Sequence, residues 1–122
     1  MEFASVLLIV GALVIAGAVQ ACATGRIGVN QIAGIRLPSV MVSDAAWRAG
    51  HAAAVIPHWV TSGLAVVFAG FGLFGSNTPA NMEMFVMIGA VILLGGTIWG
   101  AMVAHRAAVK VPLPKPQRKS RR

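Results

Sequence analysis

FASVLLIVGALVIAGAVQACA, residues 3–23, is a run of 21 residues without one charged side chain. An α-helix rises about 1.5 Å per residue, so this stretch reaches about 30 Å, the thickness of the hydrocarbon core of a bilayer. Residues 84–104 form a second charge-free stretch of the same length, and residues 58–75 form a third, slightly shorter one. Three such stretches predict an all-α membrane protein with three transmembrane helices.

The overall composition excludes an ordinary soluble domain. Only 11% of the residues are charged, and 57% are hydrophobic. Soluble domains carry about 25% charged residues, which they need to cover a water-facing surface. With 122 residues the chain has room for one compact unit. Its exterior therefore requires the lipid bilayer as its solvent.

The basic residues all fall on one predicted side of the membrane. Three spans place the first connection, residues 24–57, on the same side as the C-terminus, and this side holds all ten Lys and Arg residues. The positive-inside rule predicts that it is cytoplasmic and that the N-terminus is outside. A cleaved signal peptide is the alternative for the first stretch, but Glu2 stands where such a peptide carries positive charge.

We expect a single transmembrane domain over residues 1–110 and a flexible, Pro-rich cytoplasmic tail over residues 111–122. Cations in the tail are candidates for contact with anionic lipid headgroups, at about 1 kcal/mol each, or they serve only to set the topology. No aromatic residues for base stacking accompany them, so nucleic acid is not an expected partner. The tail cations are Lys115, Arg118, Lys119, Arg121 and Arg122.

Small residues mark the faces on which the spans are expected to pack. Gly96-Thr97-Ile98-Trp99-Gly100 is a GxxxG motif in the third span. Lipid does not drive helices together as water does, so close backbone approach contributes more to packing. The motif predicts helix contact at Gly96 and Gly100, either inside one chain or between two copies. A protein partner or a homo-oligomer is therefore an expectation.

The polar segment between the first two spans carries most of the unusual residues. It includes NQIAGIRLPSVMVSDAAWRAGH, residues 30–51. Ser43 is a suitable N-cap for a helix that begins at Asp44, and an acid in the first turn suits the helix dipole. Pro57 predicts a kink or a break in the helix before His58. We therefore expect a short amphipathic helix, residues 44–56, at the cytoplasmic interface before the second span.

Four side chains of this segment have two or more interpretations. For Arg36 the interpretations are binding to lipid phosphate, pairing with Asp44, or serving only as one of the cytoplasmic cations that set the topology. Asp44 is a helix cap or a functional acid. Trp47 is an interfacial anchor or a platform for a ligand. His51 shares a helix face with Asp44 and Trp47, and histidine is the side chain that titrates near neutral pH. It is therefore either a hydrogen-bonded interfacial residue or a catalytic one.

No complete catalytic or metal-binding set is visible. The chain has no Gly-rich phosphate loop, nucleophile elbow or pair of carboxylates. The three spans contain no Asp, Glu, Lys or Arg, which argues against an ion path through the bilayer. A zinc site from His51, His58, His105 and Asp44 is only weakly indicated, because no His-x-x-x-His pair is present. We expect no metal, no cofactor and no enzymatic activity.

The same segment resembles the signature of the SdpI family, a group of small bacterial membrane proteins. The residues that carry the resemblance are Asn30, Gly34-Ile35-Arg36, Ser43-Asp44, Trp47 and His51. The family is named for an immunity protein that protects its producer from a secreted toxin and holds a repressor at the membrane. The resemblance implies a multi-pass protein of the bacterial plasma membrane, with a binding or structural cluster at Asn30, Gly34, Arg36, Ser43, Asp44, Trp47 and His51.

Three functions follow as hypotheses. The first is immunity or resistance to a membrane-active toxin, or signalling through a partner at the cytoplasmic face. The second is a small accessory subunit of a larger membrane complex. The third, an enzyme that uses His51 and Asp44 on a lipid-linked substrate, ranks last because no catalytic set accompanies these two side chains.

Overall fold

The computed structural model describes residues 2–75 and 77–116, and every regular element in these ranges is a helix. The elements are α1 (Glu2–Ala23), α2 (Pro38–Met41), α3 (Asp44–Phe74) and α4 (Pro79–Ala108). The three long helices, α1, α3 and α4, are each long and apolar enough to cross a membrane. The predicted all-α fold with three membrane-spanning helices is therefore confirmed.

Local signals in the sequence set most of the helix ends. Gly25 follows α1 with a φ of +79°, a left-handed conformation that glycine adopts without strain. Ser43 caps α3, since its Oγ accepts a hydrogen bond from the Ala46 N–H at 3.1 Å. Thr78 caps α4 in the same way, and a proline occupies the first helical position after it. The N-cap predicted at Ser43 is thus present.

The helix does not stop at Pro57, and the predicted break there is wrong. α3 is one helix of 31 residues that contains Pro57 in its interior. A proline removes a single N–H donor from a helix, so Pro57 costs α3 only the hydrogen bond to the Ala53 carbonyl. Membrane helices that pack against neighbouring helices, as α3 packs against α1 and α4, tolerate such a loss. The amphipathic segment 44–56 is therefore the first part of the second membrane helix, and a separate short helix, α2, precedes it.

α3 lies in the middle of the bundle, with α1 on one side and α4 on the other, while α1 and α4 touch each other over only a short stretch. Its inward positions are mostly small, and Ala54, Ala65 and Ala69 are completely buried. Large apolar side chains instead face outward, among them Leu7, Val67 and many others. Small residues allow close helix approach, and the apolar exterior suits lipid contact. The distribution of side chains is that of a protein immersed in a bilayer.

The two ends of the bundle differ. We call one end the loop end: it contains residues 24–43 and the C-terminal end of α4, which are joined by a hydrogen bond of 2.7 Å between Ser39 Oγ and His105 Nδ1. The other is the turn end, with the start of α1 and the connection between α3 and α4. α3 and α4 are each about 45 Å long, which exceeds a hydrocarbon core of about 30 Å. Part of each helix therefore projects beyond the core.

The basic tail begins at the loop end. Residues 112–116 have no regular secondary structure, and Lys115 is exposed. The other cations proposed for lipid contact, Arg118, Lys119, Arg121 and Arg122, lie outside the described residues. Their contact with lipid stays a prediction.

Candidate functional site: the loop end and its cleft

His51 connects the loop to α3. Its side chain is completely buried, with 0% of its surface exposed. The Ile35 N–H donates a hydrogen bond to His51 Nε2 at 2.8 Å, and His51 Nδ1 lies 2.7 Å from the Trp47 carbonyl oxygen. A backbone N–H can only donate and a carbonyl can only accept, so Nε2 carries no proton and Nδ1 does. The ring is therefore neutral, and both of its nitrogens are engaged within the protein.

Gly34 lies directly against the imidazole. Its φ is +98°, and a Cβ added there would lie 2.7 Å from His51 Nε2 and 3.0 Å from Cys22 Sγ. The conformation and the lack of space both exclude a side chain. This explains in physical terms why glycine precedes Ile35 in the signature segment. We call Cys22, Gly34, Ile35, Trp47 and His51 the His51 cluster.

Trp47 is part of the bundle interior, so its interpretation as an interfacial anchor is wrong. Only 1% of its surface is exposed, and its ring lies 4.2 Å from the His51 ring, centroid to centroid. The indole Nε1–H donates to the Ile27 carbonyl at 2.9 Å. A buried indole requires such an acceptor. Trp47 therefore fixes the start of the loop, as His51 fixes its middle.

Asn30 shapes the loop between these two attachments. Its Oδ1 accepts hydrogen bonds from the N–H groups of Ile32 at 2.8 Å and Ala33 at 2.7 Å. Its Nδ2 donates to the Gly28 carbonyl at 2.8 Å. Asparagine suits such local turns because its amide mimics the backbone. The loop thus has internal hydrogen bonds although it contains no helix over residues 26–37.

Arg36 and Asp44 do not form the ion pair that was one alternative for them. The Arg36 guanidinium donates to the Gln31 carbonyl at 2.6 Å, and no salt bridge to Asp44 occurs in the part of the chain that the structure describes. Both side chains are exposed. Asp44 lies in the first turn of α3, where a negative charge suits the helix dipole. The structure therefore brings Gly34, Trp47 and His51 together and leaves Arg36 and Asp44 apart.

The GxxxG motif lies at the interface of α3 and α4. A Cβ on Gly96 would collide with the Thr61 side chain, and one on Gly100 would collide with the His58 ring. His58 is 2% exposed, and its Nδ1 lies 2.9 Å from the Ala54 carbonyl oxygen. The ring forms no second hydrogen bond within the described residues. The motif thus makes room inside the chain for two polar side chains of α3.

A cavity of about 460 Å³ lies beneath the loop, between α1 and α4. It exists because these two helices pack on α3 and meet each other only briefly. Most of its wall is apolar, and its charged group is Arg36. We call it the α1–α4 cleft. It is lined by Ile15, Ala18, Val19, Gly34, Ile35, Arg36, Leu37, His58, Thr97 and Ala101.

The His residues considered for zinc do not converge. His51 bonds to two backbone groups, His58 faces the cleft, and His105 bonds to Ser39. Over residues 2–75 and 77–116, no three His, Cys, Asp or Glu side chains are placed to hold one metal ion.

The sequence model of the SdpI/YfhL protein family matches residues 26–105, about two thirds of the chain. The chain belongs to the SdpI/YfhL family. The matched region starts in the loop and includes α2, α3 and nearly all of α4, so it contains the signature residues and the helical hairpin together. Neither the curated proteins nor the solved structures contain a match.

In this SdpI/YfhL family member, several residues of the loop end could not be singled out from the sequence. Cys22 belongs to α1, outside the matched region, yet it contacts Gly34. Val40 of α2 is completely buried, and a Cβ on Gly50 would lie 3.1 Å from its Cγ2. Trp59 donates from Nε1 to Gln20 Oε1 at 2.7 Å, which joins α3 to α1. Two features of the sequence could have pointed to these contacts: the glycine at position 50 and the glutamine at position 20 within an apolar span.

Proposed function

We propose that this SdpI/YfhL family member protects the cell that produces it against a membrane-active toxin. The observation that carries the proposal is the family match, which takes in both the signature loop and the α3–α4 hairpin. The folded loop supports it. A segment fixed by His51, Trp47 and Asn30 offers a defined surface to a toxin or to a signalling partner, as a mobile loop would not.

The proposed location is the bacterial plasma membrane, with the N-terminus outside and the loop end in the cytoplasm. In the described part of the chain every Lys and Arg lies at the loop end or within the first two turns of α3 beside it, and the turn end holds Glu2 and Glu83. This asymmetry supports the orientation because Lys and Arg near membrane helices remain on the cytoplasmic side.

A challenge of living cells tests the proposal. The full chain is expressed in a sensitive bacterial host, and growth is measured against a panel of membrane-active peptides. Resistance to at least one peptide is the expected result. Unchanged sensitivity across the panel, with the protein present in the membrane, would refute the immunity function.

Two glycines of the loop provide a matched pair of variants. Gly34→Val places a side chain against His51, whereas Gly28→Val adds one where no atom lies within 4 Å. If the folded loop carries the activity, Gly34→Val abolishes resistance and Gly28→Val retains it. Equal resistance in both variants would show that the loop conformation is not required.

We propose further that the protein is not an enzyme. Both ring nitrogens of His51 are engaged by backbone groups. A general base needs a free nitrogen within reach of its substrate. The arrangement therefore supports a structural role for His51. Any turnover of a lipid-linked substrate by the purified protein would contradict this.

A second candidate function is an accessory subunit of a larger membrane complex. It is favoured by Gly63 and Gly70 of α3, where a Cβ would meet no atom within 4 Å. Outward glycines leave room for a helix of another protein. Purification from native membranes in a mild detergent tests it. A stoichiometric second protein is expected under this candidate, and a lone chain would exclude it.

A further inference from the structure

The α1–α4 cleft has one charged side chain at its rim and apolar walls below. Arg36 comes from the loop, while Ile15, Ala18 and Ala101 come from the helices. A cavity of about 460 Å³ lies within the range of known small-molecule sites, about 300–1,000 Å³. None of the three acids of the chain, Glu2, Asp44 and Glu83, lines it. The cleft therefore suits an amphipathic ligand whose polar part is negative.

The loop holds the Arg36 guanidinium in position. One N–H group bonds to the Gln31 carbonyl, and the other four of the five guanidinium N–H groups have no partner among the described residues. Arg36 is exposed, so these donors can reach a ligand. A planar guanidinium matches the oxygens of a phosphate group in geometry as well as in charge.

His58 supplies a second polar group, from inside the bundle. Its Nδ1 bonds to the Ala54 carbonyl. Only 2% of the side-chain surface is exposed, yet the ring makes no other hydrogen bond within the described residues. Buried polar groups normally have a partner. Because His58 lines the cleft, a polar atom of a bound molecule can provide that partner.

We propose that the α1–α4 cleft binds one anionic phospholipid. The phosphate lies on the Arg36 guanidinium, a polar oxygen of the ligand bonds to His58, and one acyl chain lies against Ile15, Ala18 and Ala101. The charge-free stretches within α3 and α4 stop at residues 58 and 104, short of the loop end, so Arg36 is expected at the level of the lipid headgroups. The inference does not depend on toxin resistance.

Native mass spectrometry of the full chain in a mild detergent tests the proposal. After removal of co-purified lipid, the protein is titrated with phosphatidylglycerol, with phosphatidylcholine and with glycerol 3-phosphate. One phosphatidylglycerol per chain is expected, bound more tightly than phosphatidylcholine. Equal affinity for the two lipids would overturn the proposal. Competition by glycerol 3-phosphate at the same concentration would also overturn it, because the site would then recognise a free phosphate.

Three variants locate the binding. Arg36→Gln is expected to weaken phosphatidylglycerol binding roughly fivefold, since one cation near lipid contributes about 1 kcal/mol. Arg106→Gln removes the same charge from α4 at a position that does not line the cleft, and it is expected to bind as the unmodified protein does. An equal loss in both variants would indicate diffuse charge attraction and would contradict the site.

Ala101→Phe provides an independent check, because it fills the cleft and leaves the loop residues unchanged. It is expected to reduce binding of phosphatidylglycerol although Arg36 is retained. Undiminished binding by this variant would place the lipid elsewhere. Helix content measured by circular dichroism confirms that each variant is folded before its binding is compared.

Discussion

At the scale of single residues, His51 accounts for how a loop without secondary structure keeps one conformation. It accepts from the Ile35 N–H, sixteen positions earlier in the chain, and donates to the carbonyl of Trp47 in its own helix. Gly34 lies against the ring, and Asn30 organises the residues before it. Each signature residue near the imidazole therefore has a structural task that its residue type explains.

His51→Ala should destabilise the protein by roughly 2–4 kcal/mol. It leaves the Ile35 N–H and the Trp47 carbonyl without this partner and opens a cavity in a buried site. The measurement is the free energy of unfolding in mixed micelles during titration with dodecyl sulfate. His105→Ala is the control, because it removes one hydrogen bond, to Ser39, from an exposed ring and should cost less than about 1 kcal/mol. Equal losses would show that the buried bonds of His51 contribute nothing specific.

At the scale of helices, the contact of α3 with α4 depends on where glycine falls. Gly96 and Gly100 allow Thr61 and His58 to lie against the backbone of α4. Gly95 is next to Gly96 in sequence but points to open space. The proline of α3 lies near the same contact, and the Thr61 hydroxyl bonds to its carbonyl. The position of each glycine on α4 therefore decides how closely α4 approaches α3.

Gly96→Val is expected to separate the hairpin, with a loss of at least about 2 kcal/mol, because the new side chain would occupy the space of Thr61. Gly95→Val adds the same side chain one position earlier, where no atom lies within 4 Å, and should change stability by less than about 0.5 kcal/mol. The same detergent titration compares the two. Similar stabilities for both variants would contradict the proposed packing of α4 on α3.

At the scale of the whole molecule, three helices and a folded loop form an asymmetric bundle. α1 and α4 both pack on α3, and the space left between them becomes the α1–α4 cleft. Over residues 2–75 and 77–116, the cations lie at or beside the loop end, while the turn end carries none. The cleft and the charge are consequently at the same end of the molecule.

The proposed orientation is tested by labelling intact cells with a membrane-impermeant thiol reagent. Cys22 is first replaced by Ala, and single cysteines are then introduced as Ile32→Cys in the loop, where the side chain is 91% exposed, or as Asn77→Cys at the turn end. Labelling is expected at position 77 only, because the basic loop end is proposed to lie in the cytoplasm. The reverse pattern would invert the topology.

The sequence by itself determined the three membrane helices, their apolar exterior and the N-cap at Ser43. These features depend on the composition of continuous stretches and on hydrogen bonds between residues a few positions apart. Only the tertiary structure decided that Trp47 is buried, that α3 continues through Pro57 and that His51 holds Ile35. Those outcomes depend on partners far along the chain or on neighbouring helices, such as Cys22 beside Gly34 and Ser39 beside His105, 66 positions apart. Local pattern does not encode such contacts, because they form only when separate helices pack.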